Sequence, residues 1–258
     1  VYQLAANIEL LFTEAGPDAG DRVRAAAAAG FDAVEMWSST DKDLDSLGKA
    51  LADTGVQLTS MVAGPRMSYT VPGTDLAPFS AGLDTAVAHA RQLGCPRVVL
   101  ASGTGFPGMD RQRNLQVLVD LFAEAVDRTA DSGVGFVLEP VNSRVDHPGV
   151  LTDRTEDAVH VVRAVGSERL GILYDLYHSV TMGEDPATEL AAAAGLVHYV
   201  QVADVPGRGE PGSGGLDWAA QLAVVRASGY DGPIGLEFVP TVPSEESVRH
   251  IRSVAAGA

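Results

Sequence analysis

Cysteine is almost missing: the 258 residues hold one, Cys95. No intrachain disulfide can form, and a thiol placed just before the apolar run Arg97–Ala101 is expected to be buried and inert. That usage fits a reducing, cytoplasmic compartment. Basic residues are also scarce, 18 Lys and Arg against 34 Asp and Glu, for a formal charge of -16. Nucleic acid and anionic membranes are bound through clustered cations, so the composition speaks against both partners. No apolar run approaches the roughly 18 residues of a membrane span. The opening Val1-Tyr2-Gln3-Leu4 lacks the basic-then-apolar layout of a signal peptide. A soluble protein without linkers or low-complexity segments is expected.

What the chain does have is one repeated pattern. Gly135–Glu139 is a short uncharged run that ends on a carboxylate and is stopped by Pro140. Similar runs close at Asp175 (170–175), Gln201 (197–201) and Glu237 (232–237), each on an oxygen donor. They read as strands. Further strands are expected at 4–7, 33–36, 57–62 and 97–101. Helices are expected at 21–29, 44–54, 79–93, 111–132, 152–165, 186–194, 217–228 and 244–255, several closed by glycine. Strand and helix alternate eight times over a length typical of such folds, about 250 residues, which predicts a single-domain (β/α)₈ TIM barrel spanning 1–258.

In a parallel barrel the carboxyl ends of the strands converge on one mouth. Taken singly, a carboxylate just past a strand is as readily a helix cap or a solvated loop residue; Glu139, Asp175, Gln201 and Glu237 in the same phase read as one site. All four offer oxygen, and such a set selects a hard divalent cation, Mg²⁺ or Mn²⁺, over Zn²⁺. His178 follows Asp175 by one helical turn. Arg208 and Glu210 lie in a glycine-rich segment able to reach over the mouth, and Arg144 follows Glu139, so all are placed with a small anionic or polyhydroxy substrate. Glu35 and Trp37 are candidate pocket walls. The segment 64–78, rich in proline, reads as a lid. Gly103-Thr104-Gly105-Phe106-Pro107-Gly108 has the letters of a dinucleotide loop, but it follows the wrong strand and carries a proline in the turn.

Several linked motifs resemble the hydroxypyruvate isomerase family of xylose isomerase-like barrels: Glu139-Pro140-Val141-Asn142-Ser143-Arg144, Asp175-Leu176-Tyr177-His178, Val200-Gln201-Val202-Ala203-Asp204 continuing to Pro211, and Gly235-Leu236-Glu237-Phe238. The likeness runs over nearly the whole chain. It implies metal ligation by Glu139, Asp175, Gln201 and Glu237, proton shuttling by Glu139 and Glu237, and substrate contacts from His178 and Arg208. Ketose 3-epimerases of the superfamily usually place histidine where Gln201 stands and a second glutamate where Val145 stands, which favours the isomerase branch. One departure bears on substrate: the family usually has Asn-x-Pro-x-Gly-Asp after strand three, ending in Gly-x-Arg-Gly, whereas this chain reads Val62-Ala63-Gly64-Pro65-Arg66-Met67-Ser68-Tyr69.

The resulting expectation is a metal-dependent isomerase that works through an enediolate on a small hydroxy-oxo acid or sugar. A ketose or inositol epimerase or dehydratase on the same site is the alternative enzyme, and a sugar-acid binding protein without turnover is the alternative outside enzymes. Oligomeric state, a homo-oligomer included, is left open.

Overall fold

The structure, a computed structural model, describes residues 2–257. Its strands are β1 (Leu4–Asn7), β2 (Ala33–Glu35), β3 (Gln57–Leu58), β4 (Met61–Val62), β5 (Arg97–Ala101), β6 (Gly135–Glu139), β7 (Leu170–Asp175), β8 (Val197–Val202) and β9 (Ile234–Leu236). They form one parallel sheet in the order β3-β2-β1-β9-β8-β7-β6-β5-β4. The two end segments are halves of one bent strand. Thr59 N–H donates to Val34 O at 2.8 Å and Val62 N–H to Trp37 O at 2.9 Å on one side, while Ala63 N–H donates to Val99 O at 3.0 Å on the other. This segment therefore closes the sheet, and the barrel expected from the alternation is formed. The run 57–62, read as a single strand, is interrupted where the Thr59 hydroxyl bonds Val34 O and the Tyr199 hydroxyl.

Side chains of a strand alternate between its faces. Val99, Val137, Leu173 and Tyr199 form a cluster of their own inside the barrel, whereas Val98, Phe136, Leu138, Ile172, Tyr174 and Val200 join the core beneath the helices. Glu139, Asp175 and Gln201 each stand two residues beyond an interior side chain, so they project into the mouth. On β9 the same phase runs through Gly235, the register partner of Gln201, to Glu237. A Cβ at Gly235 would lie 2.4 Å from Glu35 Oε2; glycine there leaves room for a carboxylate from β2.

The helices are α1 (Ala19–Ala28), α2 (Leu44–Thr54), α3 (Ala77–Leu93), α4 (Arg111–Arg128), α5 (Thr155–Val165), α6 (Leu176–Met182), α7 (Pro186–Ala192), α8 (Trp218–Ala227), α9 (Ser244–Ser247) and α10 (Arg249–Gly257). Among the described residues none is long and apolar enough to cross a membrane. Asp18, Asp43, Asp110, Asp175, Asp185 and Asp217 each cap a helix by accepting a first-turn N–H, where a negative charge also meets the positive end of the helix dipole. Part of the acidic excess is thus structural.

Most expected helix boundaries hold to within two residues, and three helices differ by more. The helix read over 111–132 stops at Arg128, where Thr129 Oγ1 turns back onto Ala125 O at 2.8 Å and a 3₁₀ turn takes over. The helix read over 152–165 starts at Thr155, and the last one divides into α9 and α10. The short helix α6 is unexpected, because Leu-Tyr-His-Ser-Val-Thr-Met has no polar face: Leu176, Tyr177, His178, Ser179 and Met182 are all buried. At Gly103, φ is 65° and an added Cβ would meet Met67 O at 2.0 Å, so glycine there admits the passing 64–78 segment. Asp110 caps α4 where a dinucleotide phosphate would sit, which removes the remaining similarity to a phosphate loop. Cys95 is buried, and burial pushes its thiol up to about 12.

The glycine-rich segment after β8 is organised by one buried carboxylate. Asp204 Oδ2 accepts from Trp218 Nε1 at 2.9 Å and Gly212 N at 2.6 Å, and Oδ1 from Val205 N at 2.8 Å and Leu216 N at 3.2 Å. The main chain of Arg208, at φ 56°, is tied to the barrel by Val239 N–H donating to its carbonyl at 2.8 Å. Burial opposes ionisation of Asp204, but the bonds from Trp218 and the loop amides outweigh it and hold the carboxyl below its usual range. Its folded value being depressed, its contribution is present above the ordinary carboxylate range, near 4, and is lost as pH falls through the folded value. Asp204→Asn should therefore lower stability by about 2–4 kcal/mol at neutral pH, through unsatisfied buried donors. In urea melts that deficit should shrink toward pH 3; a constant deficit, or none, would contradict this account.

A candidate active site at the barrel mouth

The mouth encloses a cavity of about 360 Å³ bordered by Glu139, His178, Gln201, Arg208 and Glu237. Its most constrained group is the Gln201 amide. Nε2 donates to Glu35 Oε1 at 3.0 Å and to Glu237 Oε2 at 2.6 Å. A reversed amide would set its oxygen against two carboxylates, so Oε1 has to face the cavity. There it is buried without a partner. Glu35 is fixed in turn by Asn7 Nδ2 at 3.0 Å and Ser60 Oγ at 3.2 Å; it is a buried bracket for Gln201, deeper than the pocket wall expected of it.

Asp175 divides its oxygens between two tasks. Oδ1 caps α6 by accepting from Tyr177 N at 2.8 Å, while Oδ2 is buried with no hydrogen-bond partner. The helix that follows carries His178, whose Nδ1 accepts from Asn142 N at 3.2 Å and pairs with Asn142 Nδ2 at 2.7 Å. Because the backbone amide can only donate, the neutral ring bears its proton on Nε2. That atom lies 3.5 Å from Asp175 Oδ2 and 3.7 Å from Glu139 Oε1. Burial, then the nearby Arg208 charge, holds His178 well below its ordinary pKa, so the ring is a neutral donor.

Arg208 Nη2 contacts Glu237 Oε1 at 2.7 Å and lies 4.0 Å from Asp175 Oδ2. Its guanidinium stacks 5.2 Å from the centre of the Tyr177 ring. Even so, the carboxylates outnumber the cations. Burial and then Asp175 push Glu139 up to about 8; burial, opposed by Arg208, takes Asp175 to about 6; burial and then Glu139 raise Glu237 well above the carboxylate range.

Among the described His, Cys, Asp and Glu residues, Glu139, Asp175 and His178 offer donor atoms within 4.8 Å of one another. The proton on Nε2 makes His178 a poor member of a metal set. The unpartnered oxygens of Asp175 and Gln201, with Glu139 and Glu237 on either side along the strand order, fit a hard cation better. Two residues expected at the substrate lie elsewhere. Arg144 Nη1 donates to Thr181 O at 3.2 Å on the exposed rim, and Glu210 is bonded to Thr241 N and Oγ1 at 2.9 and 2.6 Å; neither borders the cavity. Conversely, Arg66 and His147 line it, and Asn142 and Tyr177 hold His178 and Arg208, none of them signalled by strand periodicity.

A model of the family described as xylose isomerase-like TIM barrel matches residues 23–254. A Streptomyces coelicolor protein provisionally named hydroxypyruvate isomerase is 35% identical over 255 residues, covering 91% of this chain and 89% of its own. The 2-oxo-tetronate isomerase of Cupriavidus necator is 31% identical over 245 residues, covering 92% and 93%. A crystal structure from Brucella melitensis, named as an AP endonuclease of family 2, superposes with a TM-score of 0.90 at 28% identity, covering 98% of this chain and 99% of that one. With the strand-end carboxylates and the closed barrel already in place, these likenesses assign the fold lineage: the chain belongs to the hydroxypyruvate isomerase family of xylose isomerase-like TIM barrels.

Proposed function

We propose that the protein isomerises a small hydroxy-oxo acid by moving a proton between adjacent carbons through an enediolate. The observation that carries this reading is the pair Glu139 and Glu237, set three strands apart around one cavity, with the unpartnered oxygens of Asp175 and Gln201 on the strands between them. A carbon acid next to a carbonyl loses its proton to a positioned carboxylate. One glutamate takes the proton and the other returns it at the neighbouring carbon. Neutral His178 donates its Nε2–H to a substrate oxygen, stabilising charge as it develops. Arg208 holds Glu237 and screens the crowded carboxylates from one another.

Glu139, Asp175, Gln201 and Glu237 would hold a divalent ion, and an all-oxygen set favours Mg²⁺ or Mn²⁺. Bound there, the ion would supply the positive charge that lowers the barrier to the enediolate. The substrates named for the relatives from Streptomyces and Cupriavidus belong to the same chemical class. The Brucella name points to DNA repair instead; the -16 charge of this chain and its enclosed cavity favour a small molecule over a polyanion. The buried, unreactive Cys95 suits a cytoplasmic setting.

Glu139→Gln and Glu237→Gln should each slow conversion of hydroxypyruvate to its aldehyde isomer by about 10²–10⁴-fold, with the circular dichroism spectrum unchanged. NMR of the product formed in deuterated Mn²⁺ buffer tests this: near wild-type turnover in either variant would remove the two-glutamate shuttle, while exchange at C3 retained in only one variant identifies the other glutamate as the base at that carbon. Product analysis with 2-oxo-tetronate, which has a stereocentre next to its carbonyl, separates isomerisation from epimerisation.

Metal binding has a readout apart from turnover. Mg²⁺ or Mn²⁺ at about a hundred times its Kd should stabilise the chelator-treated protein by about 2.7 kcal/mol, raising Tm by roughly 5–10 °C for a chain of this size. Asp175→Asn should lose most of that rise. A wild-type Tm indifferent to both ions would overturn the ligand assignment.

A further inference from the structure

A second cavity of about 270 Å³ adjoins the first and shares Arg66, Glu139, Val141 and His147 with it, so the two are lobes of one site. At about 30 Å³ per water, the second lobe has room for on the order of nine waters. Its other walls include Ser68, Gly103 and Thr104. We infer that this lobe receives the carboxylate of the substrate and that Arg66 is its counter-ion. The inference rests on the proposed hydroxy-oxo acid chemistry and names the residue that recognises the acid.

Three observations converge on it. First, division of labour: the first lobe is bordered by Glu139 and Glu237, with Asp175 and Glu35 behind them, the groups assigned to the ion and the proton, whereas Glu139 is the one carboxylate that also borders the second. Second, commitment: Arg208, the cation expected to bind the acid, is ion-paired with Glu237 and stacked on Tyr177, so taking an anion would break contacts already made. Arg66 is exposed at the lip of both lobes and makes no ion pair or side-chain hydrogen bond with any described residue.

Third, the segment that carries Arg66 is fastened over the lobe. The Ser68 and Thr104 hydroxyls bond each other, and Thr70 Oγ1 accepts from Phe106 N at 2.9 Å. At the root of the segment α3 packs so closely that a Cβ on Gly82 would fall 1.6 Å from Gly64 O. These contacts set the backbone position of Arg66 while leaving its guanidinium uncommitted, a combination suited to a planar, two-oxygen anion. Arg66 also lies within the stretch where the chain departs from the family pattern.

Titration calorimetry with Mn²⁺ present, using hydroxypyruvate and 2-oxo-tetronate against the uncharged ketoses dihydroxyacetone and erythrulose, tests the assignment. Arg66→Ala should weaken both acids about ten- to a hundredfold, the worth of a charge-assisted contact, and leave the ketoses within about twofold. Arg66→Lys should recover part of the loss and Arg66→Gln should not. Arg208→Ala should weaken acids and ketoses alike. Unchanged acid binding in Arg66→Ala, rescue by Arg66→Gln equal to that by Arg66→Lys, or an acid-selective loss confined to Arg208→Ala would overturn the inference while the isomerase reading stands. Wild-type protein that neither binds the acids nor exchanges their protons would overturn both.

Discussion

The mouth of this barrel depends on the amide of Gln201. It stands between two buried carboxylates, Glu35 and Glu237, and gives each a hydrogen from one nitrogen. Without it those groups would face each other in a low dielectric, where like charges repel strongly and an unpaired ion is costly. The bond to Glu35 reaches across the barrel, from β8 to β2, so the site is held from behind as well as along its own row of strands. A consequence of chemical kind follows: the amide oxygen is left pointing into the cavity, with no freedom to rotate away. A carboxylate at this position would add repulsion, and an imidazole would offer nitrogen to the cavity.

The same alternation that builds the barrel interior delivers this arrangement. Val137 and Glu139, Leu173 and Asp175, Tyr199 and Gln201 are successive inward positions on neighbouring strands, so packing register and site register are one constraint. That is why the strand ends were readable from residue order alone: a short apolar run closing on an oxygen donor encodes both burial and direction. The bend at Thr59 and Ser60 was not readable, since it arises from a hydroxyl on one strand meeting Tyr199 from another. Helix α6 escaped for a related reason. Buried on all sides, it has no amphipathic period, and its start is set by Asp175, a residue that periodicity assigns to the strand.

Loops were legible in position but not in direction. The glycine-rich segment after β8 reaches the mouth, as its composition leads one to expect, yet its two charged residues diverge. The φ of 56° at Arg208 turns its side chain inward, and two residues later Glu210 turns out to Thr241. Arg144 was judged by its closeness to Glu139 in sequence, but the loop is shaped by Asn142, whose side-chain oxygen takes the amides of both Val145 and Asp146 at 3.0 Å, and Arg144 is left on the rim. Asn142 and His147 belong to the site because that turn folds them back beneath it, which no local pattern in the sequence announces.

The distribution of charge bears on how an acidic chain would accommodate the acidic substrate proposed for it. Six aspartates are spent on helix N-termini, where backbone N–H groups neutralise them locally. A further one, Asp204, is absorbed by the loop that carries Arg208. At the mouth Glu139, Asp175 and Glu237 crowd together, where the proposed proton transfer needs a base and where a cation would be attracted. An anionic substrate therefore approaches a surface that repels it except at the cations placed over the cavity. Because Arg208 is occupied in stabilising Glu237, the task proposed for Arg66, admitting the anion, falls outside the strand ends, on the loop after the bent strand. The proposed proton-transfer and recognition groups would thus be set on different kinds of structure: the former on strands whose register cannot slip without emptying the barrel core, the latter on a loop fastened to the barrel through Ser68 and Thr70.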